Sequence, residues 1–526
     1  MTKGYICLVL HAHLPFVRHP QDPHRLEENW YYQAVSESFL PLLRMLRTLR
    51  EDGIPLKLAL SVSPTLCAMM GDELLQDRFE QYLRNQILLG EKEVKRADDA
   101  AQRELAAGYL ENYRKSLGEY TEHYKGSLIR GLRELKKAGD LEIITTGASY
   151  SFMPLFESYP QANRAQIEAA VISHYRYFDD SPRGFWLPEC GYYPGLECFL
   201  KREGFNYFFT SSNGFLNADV KPPYGVYTPV KTPCGIHAFG LDAAAMRDVT
   251  ASPGGYLTDF SYRDFQRDIA FERNEAYLGY FVYKPGIRVN TGYKYYAKRT
   301  DEGGARLYDP RMAAKKASDH GENFLYKRLL QAERLQPLMN RPPLSVCVFD
   351  AGLFGRWWFE GPLWLESVIR RLHGREDLQL ITPGEYLKLY PENPVSVPDF
   401  SSWGNMGYAQ VWLNGSNHWI YRHLHKAIER LTEMVEKYPH ESGLKEWVLN
   451  QAAREVILSQ ASDWPFIMQE GFAVPYAEQR VREHLYNFNR IYEDLCRNTV
   501  DTEWLTRLEK QNNCFPDLNY RIFKRH

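Results

Sequence analysis

YICLVL (5–10) is a continuous apolar run that stops abruptly at His11-Ala12-His13. Uninterrupted rather than alternating hydrophobicity over so few residues describes a strand covered on both faces, the condition of a parallel sheet flanked by helices. The layout returns in IPLKLALSVSP (54–64), LEIITTGAS (141–149), FWLPE (185–189), YFFTSS (207–212) and LSVCVFD (344–350), each ending in polar or turn residues. Strands alternating with helical segments predict an α/β fold. Polar residues just past strand C-termini are where barrel and open α/β enzymes keep their chemistry.

Two stretches break this rhythm. Residues 71–138 are long, charged and helical in pattern, which predicts a helical insertion after the second strand. Residues 222–310 are rich in Tyr, Gly and Pro, which predicts long loops and short helices over the mouth of a barrel. PENPVSVPDF (391–400) then reads as a link, and from Trp403 the pattern is helical almost to the end. The expected organisation is a sheet-bearing catalytic domain over 1–400 and a helical domain over 401–526 that contributes to the substrate cleft.

Composition excludes several classes. Lys and Arg number 64 against 66 Asp and Glu, so the basic footprint of a nucleic-acid binder is absent. No stretch approaches the ~20 apolar residues of a membrane span. The apolar run after Lys3 is too short for a signal peptide, and the eight cysteines are scattered without a CxxC pair, which together predict a cytoplasmic protein without a disulfide framework. Aromatic residues make up 14% of the chain, enough to predict ring-lined grooves as well as a core.

Two carboxylates stand out. Glu189 leaves an apolar strand end in FWLPECGYYPG, and Asp350 ends LSVCVFD before the Gly- and Trp-rich AGLFGRWWFEGP. Strand-end carboxylates among rings suit glycosidic-bond chemistry, in which one attacks or stabilises the anomeric centre and the other protonates the leaving oxygen. Each equally suits a buried structural partner. His11 and His13, two apart on a strand end, point to the same face. That spacing fits two ligands of one metal in a metal-dependent hydrolase, two donors to sugar hydroxyls, or mouth-lining histidines. Trp403, Tyr408, Trp412, Trp419 and Tyr421 lie near Asn414 and Asn417, a mixture that stacks on sugar faces or packs helices. Asp463 and Trp464 follow in ASDWPFI (461–467).

HAHLPFVRHP (11–20), PRGFWLPECGYYPGLE (182–197), VFDAGLFGRWWFEGP (348–362), WGNMGYAQVWLNGSNHWIYRHLH (403–425) and SDWPFI (462–467), with GYLTDFSYRDFQRD (255–268) and TGYKYY (291–296), resemble the motifs of glycoside hydrolase family 57 and, within it, the 1,4-α-glucan branching enzymes. The resemblance implies a distorted, TIM-like (β/α)7 barrel with helical insertions and a helical C-terminal domain. It implies a retaining transfer on α-glucan such as amylose or glycogen, with no metal and no organic cofactor. Glu189 falls on the nucleophile and Asp350 on the general acid/base; His11, His13, Trp30, Trp403, Trp412 and Asp463 fall on substrate-binding positions. The chain departs from the pattern at Gln33 (Glu in the family), Tyr150 (His), Ser211 and Asn213 (an Asp/His pair), Leu241 (Arg), Thr250 (Trp), Gly352 (Glu) and Arg356 (His). These departures leave open an α-glucan hydrolase, a 4-α-glucanotransferase, or a glycan-binding relative with impaired turnover.

Overall fold

The computed structural model describes residues 2–299 and 304–525. Seven parallel strands carry the fold: β1 (Gly4–Ala12), β2 (Leu58–Val62), β3 (Leu141–Thr146), β4 (Gly184–Trp186), β5 (Tyr207–Thr210), β6 (His237–Gly240) and β7 (Leu344–Asp350). Their order is β7-β1-β2-β3-β4-β5-β6. The short strand Leu378–Leu380 pairs with the start of β1, and antiparallel Val230–Lys231 edges β6. The sheet curls far enough that the Asp242 amide, just past β6, donates to the Val346 carbonyl of β7 at 2.9 Å. The Asp242 carboxylate accepts from Ser345 at 2.6 Å across the same seam. Seven parallel strands in a curled, incompletely closed barrel meet the expectation from the sequence.

The strand runs are apolar throughout because both faces are buried. Cys7 and Val9 of β1, Phe209 of β5 and Val346 and Val348 of β7 fill the barrel interior, while Ile6, Leu8 and Leu10 join the larger core under the helices. Side chains alternate along a strand, so the interior series 7, 9 continues to His11, and 346, 348 to Asp350. The β1–β7 register pairs His11 with Asp350, which sets both at one level of the C-terminal rim.

The predicted insertion is a helical hairpin, α1 (Glu73–Arg96) and α2 (Ala100–Gly118). Asp72 and Asp99 cap the two N-termini by accepting from Leu75 and Gln102 amides. The segment 222–310 is irregular, as expected, but it is clamped: Tyr109 and Tyr113 of α2 donate to the Lys294 and Thr291 carbonyls, and Tyr293 donates to Gln86 of α1. Residues 300–303 of that segment lie outside the described residues. The C-terminal helices are α3 (Tyr421–Lys437), α4 (Leu444–Ser459), α5 (Asp463–Glu470), α6 (Val474–Arg497) and α7 (Thr502–Gln511).

Two expectations are corrected. Residues 401–420 are turns and loop rather than helix, with Met406 and Gly407 both at positive φ; helix begins at Tyr421. Cys198 and Cys234 form a disulfide, with Cα atoms 5.6 Å apart. A separation of 36 residues hides such a pair in sequence, because only the fold brings the helix Leu196–Arg202 against the turn before β6. Among the described residues no helix is long and apolar enough to cross a membrane.

Gly355, in the loop after β7, has φ +105° and would place a Cβ 1.8 Å from the Glu37 carbonyl oxygen. Both the conformation and the backbone contact require glycine. Gly355→Ala is therefore expected to destabilise the fold by about 3 kcal/mol or more, read as a fall in denaturation midpoint; an unchanged midpoint would contradict this packing.

Candidate active site

The site lies on the C-terminal rim, where the ends of β1, β4 and β7 meet residues 401–412 and the start of α5. Glu189 follows β4 in left-handed backbone conformation, φ 56°, and Cys190 follows at φ 53°. Such conformations cost a non-glycine residue ~1–3 kcal/mol and persist where surroundings impose them. Here the Trp403 amide binds the Glu189 carbonyl at 3.1 Å. The turn aims the carboxylate at two donors from outside the barrel: Trp403 Nε1 to Oε2 at 2.8 Å and Ser462 Oγ to Oε1 at 3.0 Å.

Burial pushes the Glu189 carboxyl up to about 7. The Trp403 and Ser462 hydrogen bonds and His13 pull it down, and Asp463 pushes it further up. The stability consequence has a definite sign. A carboxyl whose folded pKa exceeds its unfolded value binds more protons when folded, so stability declines as pH rises from about 4.5 to about 7. Glu189→Gln, which keeps an acceptor for Trp403 and offers donors to Ser462, is expected to raise Tm at pH 8 and leave it unchanged at pH 4. The gain is on the order of 1–3 kcal/mol. Equal melting curves at pH 8 would contradict this burial.

Asp350 accepts the Gly352 amide at 2.6 Å on Oδ1. Surrounding protein raises its carboxyl above the ordinary aspartate range by desolvation, opposed by the Gly352 amide, His13 and Arg356. Its side chain is nevertheless exposed, so it sits on the floor of an open cleft and the push is weaker than full burial would exert.

Between the carboxylates stands a column of rings. His13 and Tyr150 stack at 3.8 Å, His11 lies 5.1 Å from Tyr150 and nearly parallel, and Trp186 lies 5.4 Å from His11. The Tyr150 hydroxyl accepts from Trp186 Nε1 at 3.0 Å and from the Glu189 amide at 3.4 Å. Its own proton therefore goes to His11 Nε2, 2.9 Å away. Burial holds His11 well below the usual histidine range, so the ring is neutral with its proton on Nδ1, an atom without a partner. His13 Nε2 faces the Asp463 carboxylate at 3.0 and 3.1 Å.

The remaining predicted residues divide. Trp403 is 37% exposed and in the cleft, whereas Trp412 is 1% exposed and stacked on Phe152 at 4.3 Å. Trp412 was expected to meet substrate; its ring instead packs beneath Gly404, where a Cβ would fall 2.8 Å from it. Trp30 is half-buried, edge-on to Tyr476 of α6 and to Phe472. Of the departures, Tyr150 is the hydrogen-bond node just described. Arg356 donates to Gln33 at 3.3 Å. Ser211 caps the turn of helix after β5, Leu241 lies in the barrel interior, and Thr250 is exposed at a helix end bonded to the Met246 carbonyl.

Ser462 was not singled out from the sequence; its place before Asp463 at a helix start was the available signal. The metal reading of His11 and His13 finds no support in the arrangement around them, since neither joins a cluster of three metal-ligating side chains among the described residues. Among the described residues the metal-ligating types converge only at Glu197, Cys198 and Cys234, two of which form the disulfide.

A curled parallel sheet bearing strand-end carboxylates in a ring-walled cleft defines a carbohydrate-active α/β-barrel protein. The chain belongs to glycosyl hydrolase family 57, whose description residues 7–242 match; residues 423–523 match the C-terminal region of 1,4-alpha-glucan branching enzyme. A 1,4-alpha-glucan branching enzyme of Thermococcus kodakarensis is 29% identical over 98% of this chain and 77% of its own length. Among solved structures, the alpha-amylase AmyC from Thermotoga maritima aligns with TM-score 0.92 and 38% identity over 99% of each chain. The family 57 branching enzyme from Pyrococcus horikoshii aligns with TM-score 0.89 and 28% identity, over 100% of this chain and 97% of that one.

Proposed function

We propose that the protein is a 1,4-α-glucan branching enzyme acting by double displacement, with Glu189 as nucleophile and Asp350 as general acid/base. The observation that carries the reading is the grip of Trp403 and Ser462 on Glu189. A strained strand-end carboxylate is completed by Ser462, inside the region 423–523 that matches branching enzymes, and by Trp403 ahead of it. In the first step Glu189 bonds to the anomeric carbon as the C1–O4 bond breaks and Asp350 gives its proton to O4. In the second, Asp350 takes the proton of an acceptor 6-hydroxyl, whose oxygen displaces Glu189 to form an α-1,6 bond. The unpartnered Nδ1 of His11 is a donor for the sugar, and His13, Asp463, Trp30 and Trp403 line its binding site; Trp412 supports them from beneath.

On this reading residues 1–400 form the catalytic domain and 401–526 a helical domain that closes one side of the cleft, in a cytoplasmic enzyme of glycogen synthesis. Incubation with amylose is expected to produce α-1,6 linkages; their absence would reject branching. Hydrolysis is the second reading, favoured by the 38% identity to an alpha-amylase and by the solvent-exposed Asp350. Release of reducing ends without branches would select it, and chain-length redistribution without either would select a glucanotransferase. Glucan retention without any product would select a binding protein.

The nucleophile must be ionised, so the acid limb of kcat/KM is expected near pH 7, where burial sets Glu189. Trp403→Phe removes a hydrogen bond that favours the charged form. The limb should move to higher pH, with a loss at pH 6 at least about threefold greater than at pH 8. A limb that stays in place would break the link between Trp403 and Glu189.

A further inference from the structure

Three segments converge on the wall of the cleft beside Asp350. Gln33 and Glu37 come from the helix after β1, where a π-helical turn over Val35–Phe39 carries Glu37 inward; such turns recur at functional sites. Arg263 and Lys294 come from the clamped segment, and Arg356 from the loop after β7. Arg356 reaches Gln33 at 3.3 Å, and Gln33 donates in turn to the Asn290 carbonyl at 3.3 Å. Gly292 lies so close to Glu37 that a Cβ there would be 3.6 Å from its Oε1.

The charges in this wall do not balance. Arg263 approaches Glu37 at 3.7 Å, and Lys294 and Arg356 face the same carboxylate. The other nearby acids are occupied. Asp268 accepts from the Ala270, Thr291 and Gly292 amides and the Thr291 hydroxyl, while Glu360 accepts the Arg263 amide. Lys294 is 4% exposed, yet its ammonium makes no hydrogen bond to any described residue. Arg356 makes only its bond to Gln33 and lies over the exposed Trp357 ring at 4.8 Å. Burial pulls both cations below their usual ranges, the cost expected of charge withdrawn from water when one carboxylate is shared among three cations. A neutral glucan offers two such cations hydroxyl acceptors but no charge to neutralise them, whereas a phosphate group would be met by a planar guanidinium fork and a point charge.

We propose that Lys294 and Arg356 form an anion subsite beside Asp350 that receives a phosphate ester carried on an α-glucan chain. The proposal rests on the α-glucan reading above for the sugar and on the wall itself for the anion.

The test is equilibrium titration of the full-length protein with maltohexaose, with maltohexaose bearing one 6-phosphate, and with inorganic phosphate, at low and high salt. The ester is expected to bind about tenfold or more tightly than the neutral sugar at low salt, with the advantage shrinking at high salt. The ratio should collapse to about one in Lys294→Met and in Arg356→Gln. These substitutions lie on separate segments, and thermal melts verify that each variant folds. A ratio near one in the unaltered protein, or one that survives in both folded variants, would overturn the proposal. Inorganic phosphate competing as well as the ester would overturn its sugar component. If neutral maltohexaose fails to bind while the ester binds in a Lys294- and Arg356-dependent way, the anion subsite stands and the neutral-glucan reading of the cleft falls.

Discussion

Replacing Glu189 with alanine is expected to lower kcat on amylose by about 10⁴-fold, because no other group can bond to the anomeric carbon from that side. The loss should be recoverable in a way that identifies the role. Removing the side chain leaves space beside Trp403 and Ser462, which held its two oxygens, and azide can enter there. Attack from the face Glu189 occupied displaces the leaving sugar with inversion, so Glu189→Ala with azide should release a β-glycosyl azide. A variant retaining more than about a tenth of the activity, far above the residue left when a nucleophile is removed, would exclude Glu189 as nucleophile. So would rescue that gives the α-azide.

Asp350→Ala should lower kcat on amylose by about 10³-fold, the usual range for loss of a positioned proton donor. The loss should depend on the leaving group. A glycosyl fluoride needs no proton to depart, so with α-maltosyl fluoride the first step should run at near-normal rate and the glycosyl-enzyme should accumulate. Azide then attacks that intermediate, and the double displacement delivers the α-azide, opposite to the Glu189 variant. The pair of products assigns the two carboxylates independently of rate. Equal losses on amylose and on the fluoride would deny Asp350 the role of proton donor. The Gly352 amide bond to Asp350 and the nearby Arg356 both favour the ionised form, so the basic limb of kcat/KM should rise in pH when Arg356 is replaced by Gln.

Much of this cleft was legible in the sequence because strand periodicity is local. The apolar runs ending at His11, Glu189 and Asp350 identified the rim, and the alternation of side chains put His11 and His13 on one face before any pairing was known. The helical insertion over 71–138 was legible from its long, charged pattern. The stretch after Trp403 was misread as helix, because its rings mimic an apolar stripe while Gly404, Gly407 and Met406 turn the chain. Trp403 and Trp412, nine positions apart, look alike in sequence. One meets Glu189 and the other is buried under a glycine.

Tyr150 illustrates the other limit. As a departure from the family motif it reads as a lost polar contact. In the structure its hydroxyl joins Trp186, His11 and the Glu189 amide, so the substitution carries its own hydrogen-bond partners. The Cys198–Cys234 pair was invisible for a related reason: the partners are distant in sequence and no local pattern encodes them, while the helix start that carries Ser462 was legible but its contact with Glu189 was not.

The sequence by itself determined the parallel sheet, the strand-end placement of the carboxylates and histidines, and the family, because hydrophobic periodicity and short motifs are properties of neighbouring residues. Tertiary structure alone decided which groups touch Glu189, that His11 is neutral, that Trp412 is a support, and that Lys294 and Arg356 share a wall. Hydrogen bonds, desolvation and unbalanced charge are set by neighbours in space, and here those neighbours come from segments as far apart as residues 189 and 462.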